Sequence, residues 1–216
     1  IAKTLIDRGA NINITDGYGR NALMIASGGG YTKIAKTLID RGVNIDATDR
    51  YGKTALEHAA WQDKPDVVKL LLEKTASLEI FNVDGDTTFL CAVALGSVNC
   101  TRLLLEANAN KDVLTRSGNN ALSLACGRTS SAAEMVSLLL EFDIDMSVQA
   151  NNLQSAVHIA AGNPDKQSLE LLIKANASLE VQDLIGRTPL LYAAQKNRPE
   201  AVKALLEAGA NRDAKD

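Results

Sequence analysis

The side chains in this sequence best suited to chemistry are three cysteines, Cys91, Cys100 and Cys126, and two histidines, His58 and His158. Structural zinc sites draw their ligands from close-spaced pairs, and a catalytic thiol needs an imidazole brought to it. Here the five residues are scattered, with no pair at metal-ligand spacing, so neither a metal centre nor a thiol nucleophile is expected. Asp165, Ser168 and His158 are near one another but lack the elbow context that exposes a nucleophilic serine. Gly28-Gly29-Gly30 follows a helical stretch rather than a strand, and no Lys-Ser or Lys-Thr stands at the required offset. It reads as a loosened link, not a phosphate cradle. The expectation is a chain with no catalysis, no cofactor and no metal.

Charge and hydropathy narrow the partners. The net charge of −3, from 23 basic and 26 acidic side chains, leaves no broad positive surface for nucleic acid or anionic lipid. With no run of 18 apolar residues and no charged-then-apolar leader, neither membrane insertion nor export is expected. The odd number of cysteines suits packed free thiols in a reducing, intracellular compartment, the cytoplasm first and the nucleus second.

The elements that position these residues are copies of one unit. Ala26, Ala59, Ala92, Ala125, Ala160 and Ala193 recur at intervals of 33, 33, 33, 35 and 33 residues. The pairs Leu5-Ile6, Leu38-Ile39, Leu71-Leu72, Leu104-Leu105, Leu139-Leu140, Leu172-Ile173 and Leu205-Leu206 keep the same beat, with the same slip of two. Between these markers comes a Gly (Gly19, Gly52, Gly85, Gly118, Gly186), then Asn or Thr (Asn21, Thr54, Thr87, Asn120, Thr188), then an apolar run. Glycine before a polar cap predicts a turn leading into a helix. A second run ends at Gly9, Gly42, Asn108, Asn176 or Gly209, residues that tolerate the left-handed backbone closing a helix. Each unit is therefore turn, helix, helix, turn.

This pattern resembles the ankyrin repeat. The clearest copy runs Asp183-Leu184-Ile185-Gly186-Arg187-Thr188-Pro189-Leu190-Leu191-Tyr192-Ala193-Ala194, followed by Val202, Leu205-Leu206 and Gly209-Ala210-Asn211; the copy at 49–81 matches nearly as well. Six repeats fit, at 16–48, 49–81, 82–114, 115–149, 150–182 and 183–215, and residues 1–15 are the tail of another. The implied fold is an all-α ankyrin-repeat solenoid forming a single domain over 1–216. The resemblance implies that turn tips and first helices line a concave face, that His158 takes the motif's histidine place and bonds to a neighbouring loop, and that the three cysteines are buried. It also implies one hydroxylation site for an asparaginyl hydroxylase. Asn13 with Leu5 is the pair that fits, because the equivalent positions elsewhere hold Asp46, Glu79, Asp112, Ser147, Glu180 and Asp213.

Carried onto this chain, the concave positions concentrate Tyr18, Arg20, Arg50, Tyr51, Lys53 and Trp61 on two adjacent repeats. Tyr, Trp and Arg carry binding energy out of proportion to their number. That patch suits an extended peptide or loop bearing acidic and apolar residues. The other reading is that the aromatics pack on neighbouring turns. Leu184 and Ile185 form a second candidate, two apolar residues at a tip, which either cover the preceding repeat or meet a partner.

Several departures from the pattern carry their own expectations. Leu153 replaces the motif Gly and Ala150 the motif Asp, so the fifth turn is expected to be distorted; Thr75 replaces a helix-ending Gly at some cost in stability. The two extra residues fall between Cys126 and Glu134 and read as tolerated loop length. The glycine link and the fifth repeat should exchange amide hydrogens fastest, near Gly28–Tyr31 and Leu153. Residues 1–15 and 34–48 agree at 12 of 15 positions, which points to a local duplication in a longer array. The functional expectation is a monomeric, non-catalytic scaffold that binds a protein or peptide. The alternative is the targeting or autoinhibitory arm of a larger enzyme or channel.

Overall fold

The structure, a computed structural model, describes residues 11–128 and 130–213. Leu5, Gly9 and the rest of 1–10, with Thr129 and 214–216, lie outside the described residues. Among the described residues twelve α-helices form six pairs: α1 (Ala22–Gly28) with α2 (Thr32–Asp40), α3 (Ala55–Trp61) with α4 (Pro65–Glu73), and α5 (Thr88–Leu95) with α6 (Val98–Glu106). The others are α7 (Ala121–Cys126) with α8 (Ala132–Glu141), α9 (Ala156–Gly162) with α10 (Gln167–Lys174), and α11 (Pro189–Gln195) with α12 (Pro199–Glu207). The chain divides into two compact units, Ile1–Lys111 and Asp112–Asp216. Within the first, α1, α3 and α5 stack as inner helices, with α2, α4 and α6 stacked outside them; within the second, α7, α9 and α11 stack inside, with α8, α10 and α12 outside.

The polar residue at the start of an inner helix caps it in five of these six. Asn21, Thr54, Thr87, Asn120 and Thr188 each accept a hydrogen bond from the backbone N–H three residues on, satisfying a donor that the helix leaves unpaired. The outer helices close alike. Gly42, Thr75, Asn108, Asp143, Asn176 and Gly209 all take a positive φ, and the next N–H, from Val43, Ala76, Ala109, Ile144, Ala177 or Ala210, returns to a carbonyl in the last helical turn. Those six following residues are all buried, which completes the hydrophobic half of the closing motif. The recurrent alanines Ala59, Ala92, Ala125, Ala160 and Ala193 have no exposed surface, so small side chains let successive inner helices approach closely.

The fifth turn departs from the expectation of distortion. Its ladder is intact, with Ala150 N–H donating to Gln154 O at 2.9 Å and Leu153 N–H to Ala150 O at 2.7 Å. Leu153 instead adopts φ +57°, so the misfit is carried by backbone strain rather than by altered hydrogen bonding. Thr75, at φ +60°, carries the same cost on a β-branched residue. Thr75→Gly and Leu153→Gly are each expected to stabilise the protein by about 1 kcal/mol, measured as an increase in the urea midpoint. No gain in either variant would remove strain as the explanation.

The glycine link is more specific than a loosened connection. Gly30 needs its positive φ of +72°, and a Cβ on Gly29 would lie 2.5 Å from Cε2 of Tyr31, so the Tyr31 ring occupies the space above Gly29. The two extra residues are divided: the link from α7 to α8 covers 127–131, and α8 runs to ten residues where α2, α4, α6 and α12 have nine.

Candidate functional site

In each compact unit the turn tips are zipped edge to edge. Arg50 N–H donates to Tyr18 O at 3.0 Å and Val83 N–H to Tyr51 O at 2.9 Å in the first; Asn151 N–H donates to Ser117 O at 2.9 Å and Leu184 N–H to Asn152 O at 3.0 Å in the second. Each Asp that opens a turn stiffens it further. Asp49 Oδ1 accepts from the N–H groups of Tyr51 at 2.8 Å and Lys53 at 3.0 Å, while its Oδ2 meets His58 Nε2 at 2.9 Å. Thus His58 is tied to its own turn, and the tips present side chains from a rigid backbone.

On this edge Tyr18, Tyr51 and Trp61 are all exposed, at 58%, 50% and 44% of their surfaces. Trp61 closes α3 at a position held by Gly28 on α1 and Ala94 on α5, so a single large ring stands between two small neighbours. Lys53 Nζ sits 3.4 Å from the Trp61 ring centroid and 3.9 Å from Glu57 Oε1, holding one face of the indole in place. Ile25 and Leu95, also exposed, add apolar surface on the same inner helices.

The basic residues are not equivalent. Arg20 forks onto Asp16 through Nε at 2.9 Å and Nη2 at 2.7 Å and lies 5.1 Å from the Tyr18 centroid, and this guanidinium hydrogen bond lowers the Asp16 pKa. Lys53 is engaged with Trp61 and Glu57. The guanidinium of Arg50 has no hydrogen-bond or ion-pair partner among the described residues, which makes it the cation of this patch best placed to meet a carboxylate.

Beneath the patch lies a buried acid that the repeat pattern does not announce. Glu57 fills the motif's histidine place on α3; its Oε1 accepts from Asn82 Nδ2 at 3.0 Å and from the Cys91 thiol at 3.5 Å. Burial raises the Glu57 pKa, against the opposing pull of Asn82 and Lys53. The folded state therefore holds a proton more tightly than the unfolded chain does. The stability linked to that proton is present below the ordinary glutamate pKa and declines as pH rises through the raised one. Glu57→Gln, which keeps an acceptor for Asn82, is expected to raise the melting temperature at about pH 8 and leave it unchanged at about pH 4. A lower melting temperature at alkaline pH would mean that the Lys53 contact outweighs burial.

Leu184 and Ile185 are the most exposed of the described large apolar residues of the second unit, at 67% and 63%, so most of each side chain faces solvent. The predicted role of His158 is realised. It is fully buried, its Nδ1 accepts from Ser155 N–H at 3.2 Å, and Nε2 therefore carries the proton donated to Arg187 O of the next turn at 2.9 Å. Burial lowers its pKa. Cys91, Cys100 and Cys126 are buried free thiols; burial raises the pKa of Cys100 and of Cys126 to about 12, which leaves them unreactive at neutral pH. Asn13 is exposed in a turn, its N–H donating to Asn11 Oδ1, whereas its paired Leu5 lies outside the described residues.

One feature escaped the sequence reading. Gly127 and Gly162, at equivalent positions of successive inner helices, leave a hollow of ≈ 300 Å³ lined by Gln154, Ile159, Asn163, Pro164 and Tyr192. The signal was glycine at this position in two successive repeats, whereas Gly28 is followed by Trp61 and Ala94.

No group of His, Cys, Asp or Glu able to hold a metal ion occurs among the described residues, and none of their helices is long and apolar enough to cross a membrane. A family model for ankyrin repeats in three copies matches residues 1–82, 75–150 and 131–216. Mouse inversin is 43% identical over 68 residues, covering 31% of this chain, which in turn spans only 6% of inversin. Among solved structures, the human ASB11 ankyrin repeat domain superposes with a TM-score of 0.86 at 27% identity, covering 97% of this chain and 92% of that one. One chain in the structure of the complex between the predatory endopeptidase Bd0816, from Bdellovibrio bacteriovorus, and immunity protein Bd3460 gives 0.77 at 25% identity, covering 90% and 99%. Capped inner helices, glycine-closed outer helices, zipped tips and a family match from end to end lead to one conclusion: this chain belongs to the ankyrin-repeat family, whose members are general protein-interaction modules of typically non-catalytic fold.

Proposed function

We propose that this chain recognises another protein without catalysing a reaction, through the turn tips and inner-helix face of its N-terminal unit, with Tyr51 and Trp61 at the centre. The observation that carries this reading is the state of Trp61. Its ring is 44% exposed, stands between Gly28 and Ala94, and is held on one face by the Lys53 ammonium. Such an aromatic is already ordered before a partner arrives, so binding loses little side-chain entropy and the ring can bury fully. Arg50 supplies a cation for a partner's carboxylate, which favours an extended segment with an apolar anchor and acidic neighbours. We place the chain inside the cell, a compartment that suits three free, buried thiols, and read it as a monomer. A second reading follows from the small share of inversin that the chain spans, that the module is the targeting or autoinhibitory arm of a larger protein.

The test is affinity capture from source cells beside a Tyr51→Ala, Trp61→Ala double variant shown by circular dichroism to be folded. Retention by the parent and loss by the variant supports the reading. Equal capture by both moves the contact elsewhere, with Leu184 and Ile185 the next surface to vary. No capture at all overturns recognition of a separate protein.

A further inference from the structure

The hollow of the C-terminal unit has the form of a subsite rather than a packing gap. The position closing the inner helix carries a side chain in three of the other repeats, Gln195 on α11 and Trp61 and Ala94 in the other unit, and is a lone glycine, Gly28, on α1. At Gly127 and Gly162 it carries none; the Tyr192 ring takes the space above Gly162, while the space over Gly127 stays open in a hollow of ≈ 300 Å³, at the lower end of the range for small-ligand sites.

The two glycines are not alike. A Cβ on Gly162 would meet Tyr192 Cε1 at 2.6 Å, so the tyrosine ring lies directly against the α9 backbone and depends on glycine there. Gly127 is unconstrained. Its φ of −76° suits any residue, and a Cβ would come no nearer than 3.6 Å to Leu124 O and 3.7 Å to Ile159 Cγ2. Nothing in the backbone requires glycine at 127, and its effect is to keep the hollow open.

The walls select a chemistry. Ile159 and the ring of Tyr192 offer apolar surface, whereas Gln154 and Asn163 are polar. The Arg187 guanidinium lies 4.8 Å from the Tyr192 centroid, but it is spent on Asp183 and Gln195. Lys196 Nζ lies 5.4 Å from the same centroid, its stem passes 3.6 Å from where a Gly162 Cβ would stand, and no carboxylate pairs with it among the described residues. The rim thus carries an uncompensated positive charge beside an aromatic wall, with the Arg198 guanidinium turned to Gly162 O at 2.9 Å.

We infer that this hollow binds an aromatic side chain whose own chain carries a carboxylate one or two bonds from the backbone, the ring lying over Gly127 between Ile159 and Tyr192 and the carboxylate meeting Lys196. The occupant is a segment of a partner protein with an aromatic residue next to an acidic one. The inference rests on the reading of the chain as a recognition module but uses different residues from the Tyr51 and Trp61 patch.

N-acetylphenylalanine, which joins the ring and one carboxylate, is the probe. Titrated against the isotope-labelled chain, it is expected to shift the Gly162 amide and the Ile159 methyl resonances saturably, with a Kd on the order of 1 mM for a ligand of this size. The uncharged N-acetylphenylalaninamide should bind about threefold more weakly, and Lys196→Gln should abolish that difference. Gly127→Leu fills the hollow without backbone strain and should remove binding by at least tenfold in a chain with unchanged circular dichroism (one decade being about the least that steric exclusion costs). Shifts confined to residues near Trp61, equal affinity for acid and amide, or full binding by Gly127→Leu would each overturn the inference. None of these bears on the capture result with Tyr51 and Trp61, so the two failures are distinguishable.

Discussion

Replacing Trp61 with alanine is expected to weaken binding of the captured partner by about 30-fold or more, roughly 2 kcal/mol or above, as for central aromatic anchors generally. The magnitude follows from what the ring has left to bury: 44% of its surface, with small residues on both sides that give a partner close access. Trp61→Phe should retain part of the affinity, because a smaller ring still fills the place. Lys53→Met should cost fivefold at most, since the ammonium holds the indole in place but the indole makes the contact. Isothermal titration against the recovered partner ranks the three. A larger loss for Lys53→Met than for Trp61→Ala would make charge, not the aromatic surface, the main determinant.

The second large effect is on stability. His158→Ala is expected to destabilise the C-terminal unit by about 3 kcal/mol, because it leaves a cavity and strands the Arg187 carbonyl and the Ser155 N–H in a buried site. Both ring nitrogens are used by the neutral imidazole, and only the neutral form can accept at Nδ1. Burial lowers the folded pKa. The sign follows directly: the unfolded chain takes up the proton first, so stability is complete above the ordinary histidine value near 6.5 and is lost as pH falls through that value toward the lowered one. Glu57 in the N-terminal unit has the opposite dependence. Acidification from about pH 7.5 to about pH 5 should therefore speed hydrogen exchange in α9 relative to α3, and His158→Ala should flatten the α9 response. Uniform acceleration in both helices, or a retained slope in the variant, would exclude His158 as its source.

Much of this protein was legible in its sequence because repeats are governed by local rules. Asn21, Thr54 and Thr87 had to be helix caps, and Gly42 and Gly209 had to end helices, because an unpaired N–H or a left-handed backbone is a problem that one or two residues solve or fail to solve. The 33-residue period then multiplied each local solution along the chain. The histidine contact of His158 was legible for the same reason, since its partner lies one turn further on.

What only the tertiary structure decided were the outcomes that depend on which side chain arrives first. Sequence placed Arg20, Arg50 and Lys53 together as basic tips; in space Asp16 takes Arg20, Trp61 and Glu57 take Lys53, and the Arg50 guanidinium has no ion-pair partner among the described residues. Leu153 in place of glycine suggested a distorted turn, yet the turn keeps its ladder and Leu153 bears the strain, because the neighbouring hydrogen bonds together outweigh one unfavourable φ. Glu57 beside Asn82 and Cys91, and the hollow over Gly127 and Gly162, arise between adjacent repeats. Local rules specify each repeat alone, while burial, ion pairing and empty volume are properties of the stacked pair, which no single repeat's sequence contains.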